Sequence, residues 1–350
     1  MAVTGTDLPL HPFASRWWCR PHGALSRAHI EPAVSDYAGI SSRLARQLPQ
    51  AELGVHISQR HRVPTHPAIP LYSRKMSSPA STYMMGHTDR ERRRLALQAA
   101  ILEPLTENFF VRAGLAPGMR VLDVGCGVGD VAIIAARLAG PRGDVTAIDL
   151  DHHSLEIARM RAEEAGLPNI SFEESDVAHH HAKRPYDAIV GRHILIHTKD
   201  PRAILQQAIE QIHPGGIVAF QEYDLSRYYP NTPPKPIFEK TYQAIIDLFV
   251  RATHADIGVQ LLAMFRELGL TRVQSRAEFF LDSGPECPYY EWIAETVRSL
   301  LPKLEGAGIA TALDLDVDTL ADRMKQEASA LGGYVASPVV VGTCGVRASD

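Results

Sequence analysis

The sequence of 350 residues predicts an α/β fold, in which a mostly parallel β-sheet carries helices on both faces. Three observations support this prediction. Short apolar runs alternate with segments of helical pattern along the chain. Between one such run and the helix behind it stand Gly125, Gly127 and Gly129. About twenty residues later a second run ends in Asp149, where an acid can bind ribose hydroxyls. These features predict a nucleoside-cofactor site at the carboxyl ends of the strands.

The elements follow one another in an order typical of such folds. A long helix begins with a capping pattern at Thr88 and ends near Gly114. Strands that alternate with helices are then predicted at 120–124, 144–149, 170–174, 187–191 and 216–222. Beyond them we predict helices at about 237–253 and 257–268, a strand at 271–281, helices at about 286–303 and 316–331, and a last strand at 337–346. We expect the extra helices, within about 224–268 and 282–335, to cap the pocket.

The glycine loop, VLDVGCGVGD at 121–130, bears on the choice of cofactor. A dinucleotide-binding loop has a third glycine where this chain has Asp130, and a carboxylate there would repel a pyrophosphate. The pattern favours a ligand with a sulfonium and an amino-acid tail, whose ammonium group Asp123 can bind directly or through water. Two alternatives stay open: an NAD site, and a glycine-rich turn that binds no ligand.

Five segments resemble the motifs of the class I S-adenosylmethionine-dependent methyltransferases, and they occur in the family's order. They are VLDVGCGVGD (121–130), AIDLD (147–151), SFEESDVA (171–178), YDAIVGRHILIHTKDP (186–201) and HPGGIVAFQEYD (213–224). The resemblance implies a methyltransferase domain over 81–350, with a Rossmann-like seven-stranded sheet whose last strand is antiparallel. It also implies S-adenosyl-L-methionine as cofactor. YMMGHTDRERRRL (83–95) further resembles a subgroup of bacterial small-molecule methyltransferases.

The resemblance also implies which residues bind the cofactor. Asp176 would meet the adenine amine and Val177 a face of the ring. Tyr83 would stack near the sulfonium, and Arg192 would bind the cofactor carboxylate or else pair with a nearby acid. The expected cofactor-binding residues are Tyr83, Asp123, Gly125, Cys126, Gly127, Gly129, Asp149, Leu150, Asp176, Val177 and Arg192.

Methyl transfer is an in-line displacement, and a positioned base can accelerate it roughly 10²–10⁴-fold. His193 lies just past the fourth strand and is the first candidate base, although it could instead orient a loop. Glu222, after the fifth strand, is the second catalytic candidate. We expect an enzyme that methylates oxygen, nitrogen or carbon of a small metabolite with an apolar or aromatic part. The alternative is a regulatory protein that binds the cofactor without catalysis.

Residues 1–80 differ from the rest of the chain. They are rich in Pro, Arg, His and Ser, and hold nine Lys and Arg against four Asp and Glu. We expect a disordered extension, with a targeting peptide and an upstream translation (the natural start being Met76) as alternatives.

Composition excludes several classes of function. The net charge is −4 and the part after residue 80 is acidic, which does not suit nucleic acid. No apolar run has the roughly 18 residues of a membrane span. The four cysteines are dispersed, so we expect neither disulfides nor a zinc site, and a cytoplasmic location. The triplet at 179–181 (His-His-His) is not expected to bind metal. A homodimer is a further expectation.

Overall fold

The computed structural model describes residues 89–349, with side chains from Arg94 onward. The predictions for Tyr83, for the cap at Thr88 and for the extension over 1–80 with its start at Met76 lie outside the described residues. Among the helices of the described part, none is long and apolar enough to cross a membrane.

A seven-stranded sheet forms the centre of the described domain. Its strands are β1 (Arg120–Val124), β2 (Asp144–Asp149), β3 (Ile170–Glu174), β4 (Tyr186–Arg192), β5 (Ile212–Asp224), β6 (Leu270–Glu278) and, last in the chain, β9 (Val339–Arg347). The order across the sheet is β3-β2-β1-β4-β5-β9-β6. The first five strands run parallel, and β9 is antiparallel to both of its neighbours. The predicted Rossmann-like sheet with an antiparallel last strand is therefore confirmed.

Nine helices of the described part flank this sheet or follow it. They are α1 (Asp89–Ala113), α2 (Asp130–Ala139), α3 (His152–Glu164), α4 (Pro201–Glu210), α5 (Pro236–Ala252), α6 (Ile257–Glu267), α7 (Tyr289–Gly306), α8 (Ala312–Leu315) and α9 (Leu320–Leu331). The helix predicted over 316–331 begins late, at Leu320. Asp316 adopts the left-handed conformation (φ 47°), which ends α8 and prevents one continuous helix.

The strand predicted over 271–281 is also divided. β6 ends at Glu278, and the two residues of β7 (Leu281–Asp282) pair instead with β8 (Val335–Ala336) in a small antiparallel ribbon. The serine that follows β8 fixes this arrangement, because Ser337 and Phe280 exchange two hydrogen bonds of 2.9 Å.

The core lies on both faces of the sheet. In β1, Val121 packs in the apolar cluster with α2, and the next residue, Leu122, packs in the cluster on the other face; neither side chain is exposed. Burial on both faces is typical of parallel strands between helices. On the second face Phe265 of α6 contacts Phe220 of β5 edge-on, with ring centroids 6.5 Å apart. Helix α6, which we expected in the cap, therefore covers the sheet.

Candidate active site

A cavity of about 990 Å³ opens at the carboxyl ends of the parallel strands, where the strand order reverses beside β1. This is the usual ligand position in open α/β sheets. One part, the loop half, is lined by the segments after β1, β2 and β3, at 124–128, 148–151 and 175–178. The other part, the cap half, is lined by residues 193–199, the end of β5 and helices α1, α5 and α7. The side chains of the cap half are Arg94, Leu95, Gln98, His193, Ile194, Ile196, His197, Thr198, Lys199, Tyr223, Leu225, Tyr242, Ile245, Phe249, Trp292, Ile293 and Thr296.

The three glycines of the loop after β1 all have positive φ, but each is needed for a different reason. A Cβ on Gly125 would lie 2.5 Å from the side chain of Ile194, so this position requires a close approach of the two segments. A Cβ on Gly129 would lie 3.0 Å from Ala158 of α3, which makes it a packing position that does not line the cavity. Around Gly127 there is open space. This glycine can therefore present bare backbone to a ligand.

The end of β2 supplies the acid that the sequence predicted. Asp149 accepts hydrogen bonds from the backbone N–H groups of Gly127 (2.7 Å) and Asp151 (2.9 Å). These contacts fix its carboxylate beside the glycine loop, and each oxygen keeps a second lone pair for a ligand hydroxyl. The next residue, Leu150, lines the cavity with 70% of its surface exposed. An exposed leucine in a cavity offers a surface for an apolar ring.

The segment after β3 forms the far wall of the loop half. Asp176 is partly exposed, and one of its oxygens accepts the N–H of Ala178 (3.0 Å). Val177 is buried beside it and lines the cavity. The structure thus brings the predicted residues at the ends of β1, β2 and β3 to one wall.

Asp123 lies beneath the glycine loop, is completely buried and is not among the residues that line the cavity. Neither of its carboxyl oxygens has a hydrogen-bond partner of normal geometry within the described part of the chain. Burial raises the pKa of Asp123 from 3.8 to about 8, against the opposing charge of Arg192. A buried acid without a partner is costly, and a ligand cation would remove that cost.

Arg192, the last residue of β4, is buried in a network with α1 and α2. Its guanidinium donates to the hydroxyl of Thr106 (2.8 Å) and pairs with Asp130 (3.4 Å). The alternative of a pair with a nearby acid is therefore what the structure shows. Asp130 also pairs with Arg161 at 2.6 Å, so its charge is balanced. Because its charge is balanced, Asp130 would not strongly repel a pyrophosphate. This residue therefore does not argue against NAD as the cofactor.

His193 follows directly and has a left-handed backbone (φ 55°), a strained conformation that is common at functional sites. Its ring stacks on Tyr223, with centroids 3.7 Å apart and planes at 16°. Both ring nitrogens are enclosed, and neither has a hydrogen-bond partner among the residues described. Burial, with the charge of Arg192 second, holds the pKa of His193 well below its usual value. The imidazole is therefore neutral at neutral pH.

Glu222 was our second catalytic candidate, and the structure gives it a different role. It is fully buried and is not among the residues that line the cavity. Its carboxylate accepts the backbone N–H groups of Ile194 (2.9 Å), Leu195 (2.8 Å) and Ile196 (3.4 Å), at the start of a short 3-10 helix over Leu195–His197. Burial raises the pKa of Glu222 to about 8, although the three N–H groups oppose this. Glu222 positions the segment behind His193.

The cap half, as far as it is described, contains four aromatic side chains besides its two histidines. Tyr223, Tyr242, Phe249 and Trp292 line the cavity. Four other aromatic residues of the predicted caps, Phe238, Phe265, Tyr289 and Tyr290, are buried in the core. Burial lowers the pKa of the cavity-lining His197 to about 4. Sequence reasoning missed Arg94, Gln98 and Tyr242. Arg94 lies in the segment 83–95 but was given no role, and the other two lie on helices outside any motif.

Two further groups named in the sequence analysis are Cys126 and the histidine triplet at 179–181. Burial raises the pKa of the Cys126 thiol well above its usual value, which makes it a poor nucleophile. In the histidine triplet, His180 is buried against the hydroxyl of Tyr186 (2.8 Å), while its two neighbours are exposed. Within residues 89–349 no cluster of three or more His, Cys, Asp or Glu side chains could hold a metal ion.

Comparison with known proteins shows what the central part of the chain is similar to. A family model described as a methyltransferase domain matches residues 115–248, from the end of α1 into α5. Strands β1 to β5, the glycine loop and the acids after β2 and β3 fall within this range, whereas β6 and β9 lie beyond it. The central part of the chain therefore resembles the S-adenosylmethionine-dependent methyltransferases, whose cofactor is S-adenosylmethionine.

Two curated relatives resemble the central part of the chain. Over 122 residues it is 34% identical to a ubiquinone biosynthesis O-methyltransferase of Photorhabdus laumondii. The matched segment is 34% of this chain and 49% of the relative. Over 111 residues it is 40% identical to a protein of the same name from Paracidovorax citrulli, covering 31% and 45%. The chain thus matches about half the length of these relatives. A solved S-adenosylmethionine-dependent methyltransferase from Aquifex aeolicus is 21% identical, with a TM-score of 0.37 over 49% of this chain and 81% of that one.

The described residues fit this cofactor. The carboxyl group of Asp123 lies just behind the cavity wall, so it would meet an ammonium group through water, and the open space at Gly127 admits the amino-acid tail. Asp149 can accept ribose hydroxyls, and the exposed side chain of Leu150 can cover an adenine face. These features of the loop half therefore have counterparts in S-adenosylmethionine.

Proposed function

We propose that this protein is an S-adenosylmethionine-dependent methyltransferase whose acceptor is a small molecule with an apolar or aromatic part. The observation that carries the proposal is one continuous cavity in which the cofactor-type loop half adjoins an aromatic cap half. The names of the curated relatives favour oxygen as the methylated atom, with nitrogen or carbon as alternatives. When bound, the cofactor supplies a methyl group on a positively charged sulfur.

The residues of the chain supply alignment, exclusion of water and a place for the proton. Asp123 holds the ammonium group, Asp149 the ribose, and Leu150 with Val177 the adenine. The aromatic rings of the cap half hold the acceptor and keep water away. Of these residues, Asp149 is already fixed by two backbone hydrogen bonds.

His193 accepts the acceptor's proton at a ring nitrogen in this proposal. The support is its position at the end of β4, its unpartnered nitrogens among the described residues and the neutral state that follows from its lowered pKa. Since both ring nitrogens are enclosed, neighbouring side chains must move before the acceptor reaches one of them. Tyr223 covers a face of the ring and fixes its orientation.

Transfer of tritium from methyl-labelled S-adenosylmethionine to a panel of phenols, carboxylic acids and amines tests the proposal. We expect turnover of at least one phenol or acid, reduced roughly 10²–10⁴-fold in His193→Ala. The control is His213→Ala, which should keep full turnover. His213 is a half-exposed histidine at the ends of the strands opposite the cavity. Unchanged turnover in His193→Ala would remove the residue from the mechanism. Cofactor binding without turnover of any acceptor would favour the regulatory alternative.

The remaining expectations are a homodimer and a cytoplasmic location. Light scattering on the purified full chain measures the first, and fractionation of the producing cells measures the second.

A further inference from the structure

The two halves of the cavity differ in charge. The loop half presents the carboxylates of Asp149, Asp151 and Asp176. The cap half, as far as its lining residues are described, includes no acidic side chain. The nearest lining acid along the chain, Asp200, caps α4 by accepting the N–H of Ala203 at 3.0 Å. A cationic acceptor would therefore find no counter-ion in the described wall of the cap half.

Arg94 brings a positive charge into this half from α1. It is 5% exposed and lines the cavity. Its guanidinium donates to Gln98 (2.8 Å), and the hydroxyl of Tyr223 donates to the same amide oxygen at 3.4 Å. These contacts place the arginine close to the aromatic wall. A guanidinium has five N–H groups and can serve several partners at once.

The influence of Arg94 extends to the two histidines of the cap half. Burial is the main cause of the lowered pKa of both His193 and His197, and the charge of Arg94 contributes at each. Both imidazoles are therefore neutral, and the positive side chains described in the cap half are Arg94 and the exposed Lys199, to which the cofactor sulfur adds a charge when it is bound. Such surroundings attract an anion.

The aromatic rings alone would allow a different acceptor. Tyr223, Tyr242, Phe249 and Trp292 could surround an ammonium group through cation–π contacts. The arginine in the same half opposes that arrangement, because like charges in a region of low dielectric constant repel strongly. The same rings pack equally well against a flat aromatic molecule.

We propose that the cap half selects an aromatic acceptor that carries a carboxylate, and that Arg94 is the residue that recognises this group. The inference rests on the proposed function and narrows its substrate class. A guanidinium binds a carboxylate through two parallel hydrogen bonds, a geometry that lysine cannot reproduce.

Three probes of similar size separate the effects of charge: 4-hydroxyphenylacetate, its amide, and tyramine. Each is titrated calorimetrically into the full chain saturated with S-adenosylhomocysteine. We expect the carboxylate to bind roughly 10- to 100-fold more tightly than the amide, with tyramine weakest. In Arg94→Gln this preference is lost, and in Arg94→Lys it is partly kept. Arg112→Gln changes a more exposed arginine of the same helix, paired with Glu278, and leaves the preference unchanged.

The outcomes separate this inference from the proposed function. Failure of S-adenosylhomocysteine to bind would contradict the proposed function. In that case, saturation-transfer NMR on the protein alone would still rank the affinities of the three probes. Equal affinities, tightest binding of tyramine, or an undiminished preference in Arg94→Gln would overturn the inference. So would the absence of measurable binding by all three probes. If Arg94→Gln does not fold, the Arg94→Lys variant and the ranking in the wild type decide.

Discussion

Replacing Asp123 with Asn should make the cofactor-free protein more stable at neutral pH. The native pKa of about 8 stands roughly four units above the unfolded value, and each unit corresponds to about 1.4 kcal/mol. Because the native pKa is the higher one, the stability of the wild type is greatest below about pH 4 and falls as the pH rises towards 8. The total loss is on the order of 5 kcal/mol. Asn has the same shape and cannot ionise, so the variant escapes this loss.

Calorimetric unfolding without cofactor, at several values between about pH 5 and pH 8, measures this difference. We expect the melting temperature of Asp123→Asn to exceed that of the wild type by an amount that grows with pH. Asp144→Asn, an acid at the exposed start of β2, serves as control and should follow the wild type. Parallel pH profiles for Asp123→Asn and the wild type would refute the reasoning.

The same carboxyl group predicts a proton release when the cofactor binds. With a pKa of about 8, Asp123 is about nine-tenths protonated at pH 7, and an ammonium ligand requires the ionised form. Titration of S-adenosylhomocysteine in buffers of different ionisation enthalpy should therefore report close to one proton released by the wild type. Asp123→Asn should release none and bind more weakly.

Three further substitutions test the parts of the site separately. Gly125→Ala introduces a clash at positive φ and should destabilise the domain by about 1–3 kcal/mol in chemical denaturation, more than Gly118→Ala, which has positive φ but open space. Glu222→Gln should lower the free energy of unfolding by about 1–3 kcal/mol, because the side chain no longer accepts all three N–H groups equally well. It should also lower kcat with little change in cofactor affinity, and an unchanged kcat would contradict the positioning role. In an NMR titration, Tyr223→Ala should raise the pKa of His193 towards its ordinary value while Tyr223→Phe leaves it low; equal values in both variants would show that the stack does not enclose the ring.

Much of the parallel sheet could be predicted, because its elements are set by local pattern. The bounds of β1, β2 and β3 agree with the prediction, since each is a short run between clear turn signals. The fourth and fifth strands extend beyond their predicted ends. The division between β6 and β7 depends on pairing with Val335–Ala336, more than fifty residues away, which no local pattern reveals.

The two halves of the cavity differed in how far they could be predicted. Residues of the loop half follow strand ends that the sequence marks, and their proximity follows from parallel topology. The cap half is assembled by helices distant in sequence, so Arg94 and Tyr242 could not be assigned to it beforehand. Glu222 lies at the strand end where the sequence placed it, but its partners, the backbone N–H groups after β4, could not be predicted. Tertiary hydrogen bonding of this kind leaves no residue-type signal.

The central claim, that the loop half binds S-adenosylmethionine, is tested most directly by calorimetric titration of the full chain with S-adenosylhomocysteine and, separately, with NADH. Our account predicts micromolar binding of S-adenosylhomocysteine, loss of that binding in Asp149→Ala, and no binding of NADH. Binding of NADH, or undiminished binding of S-adenosylhomocysteine by Asp149→Ala, would contradict the assignment of the glycine loop and of the acid after β2.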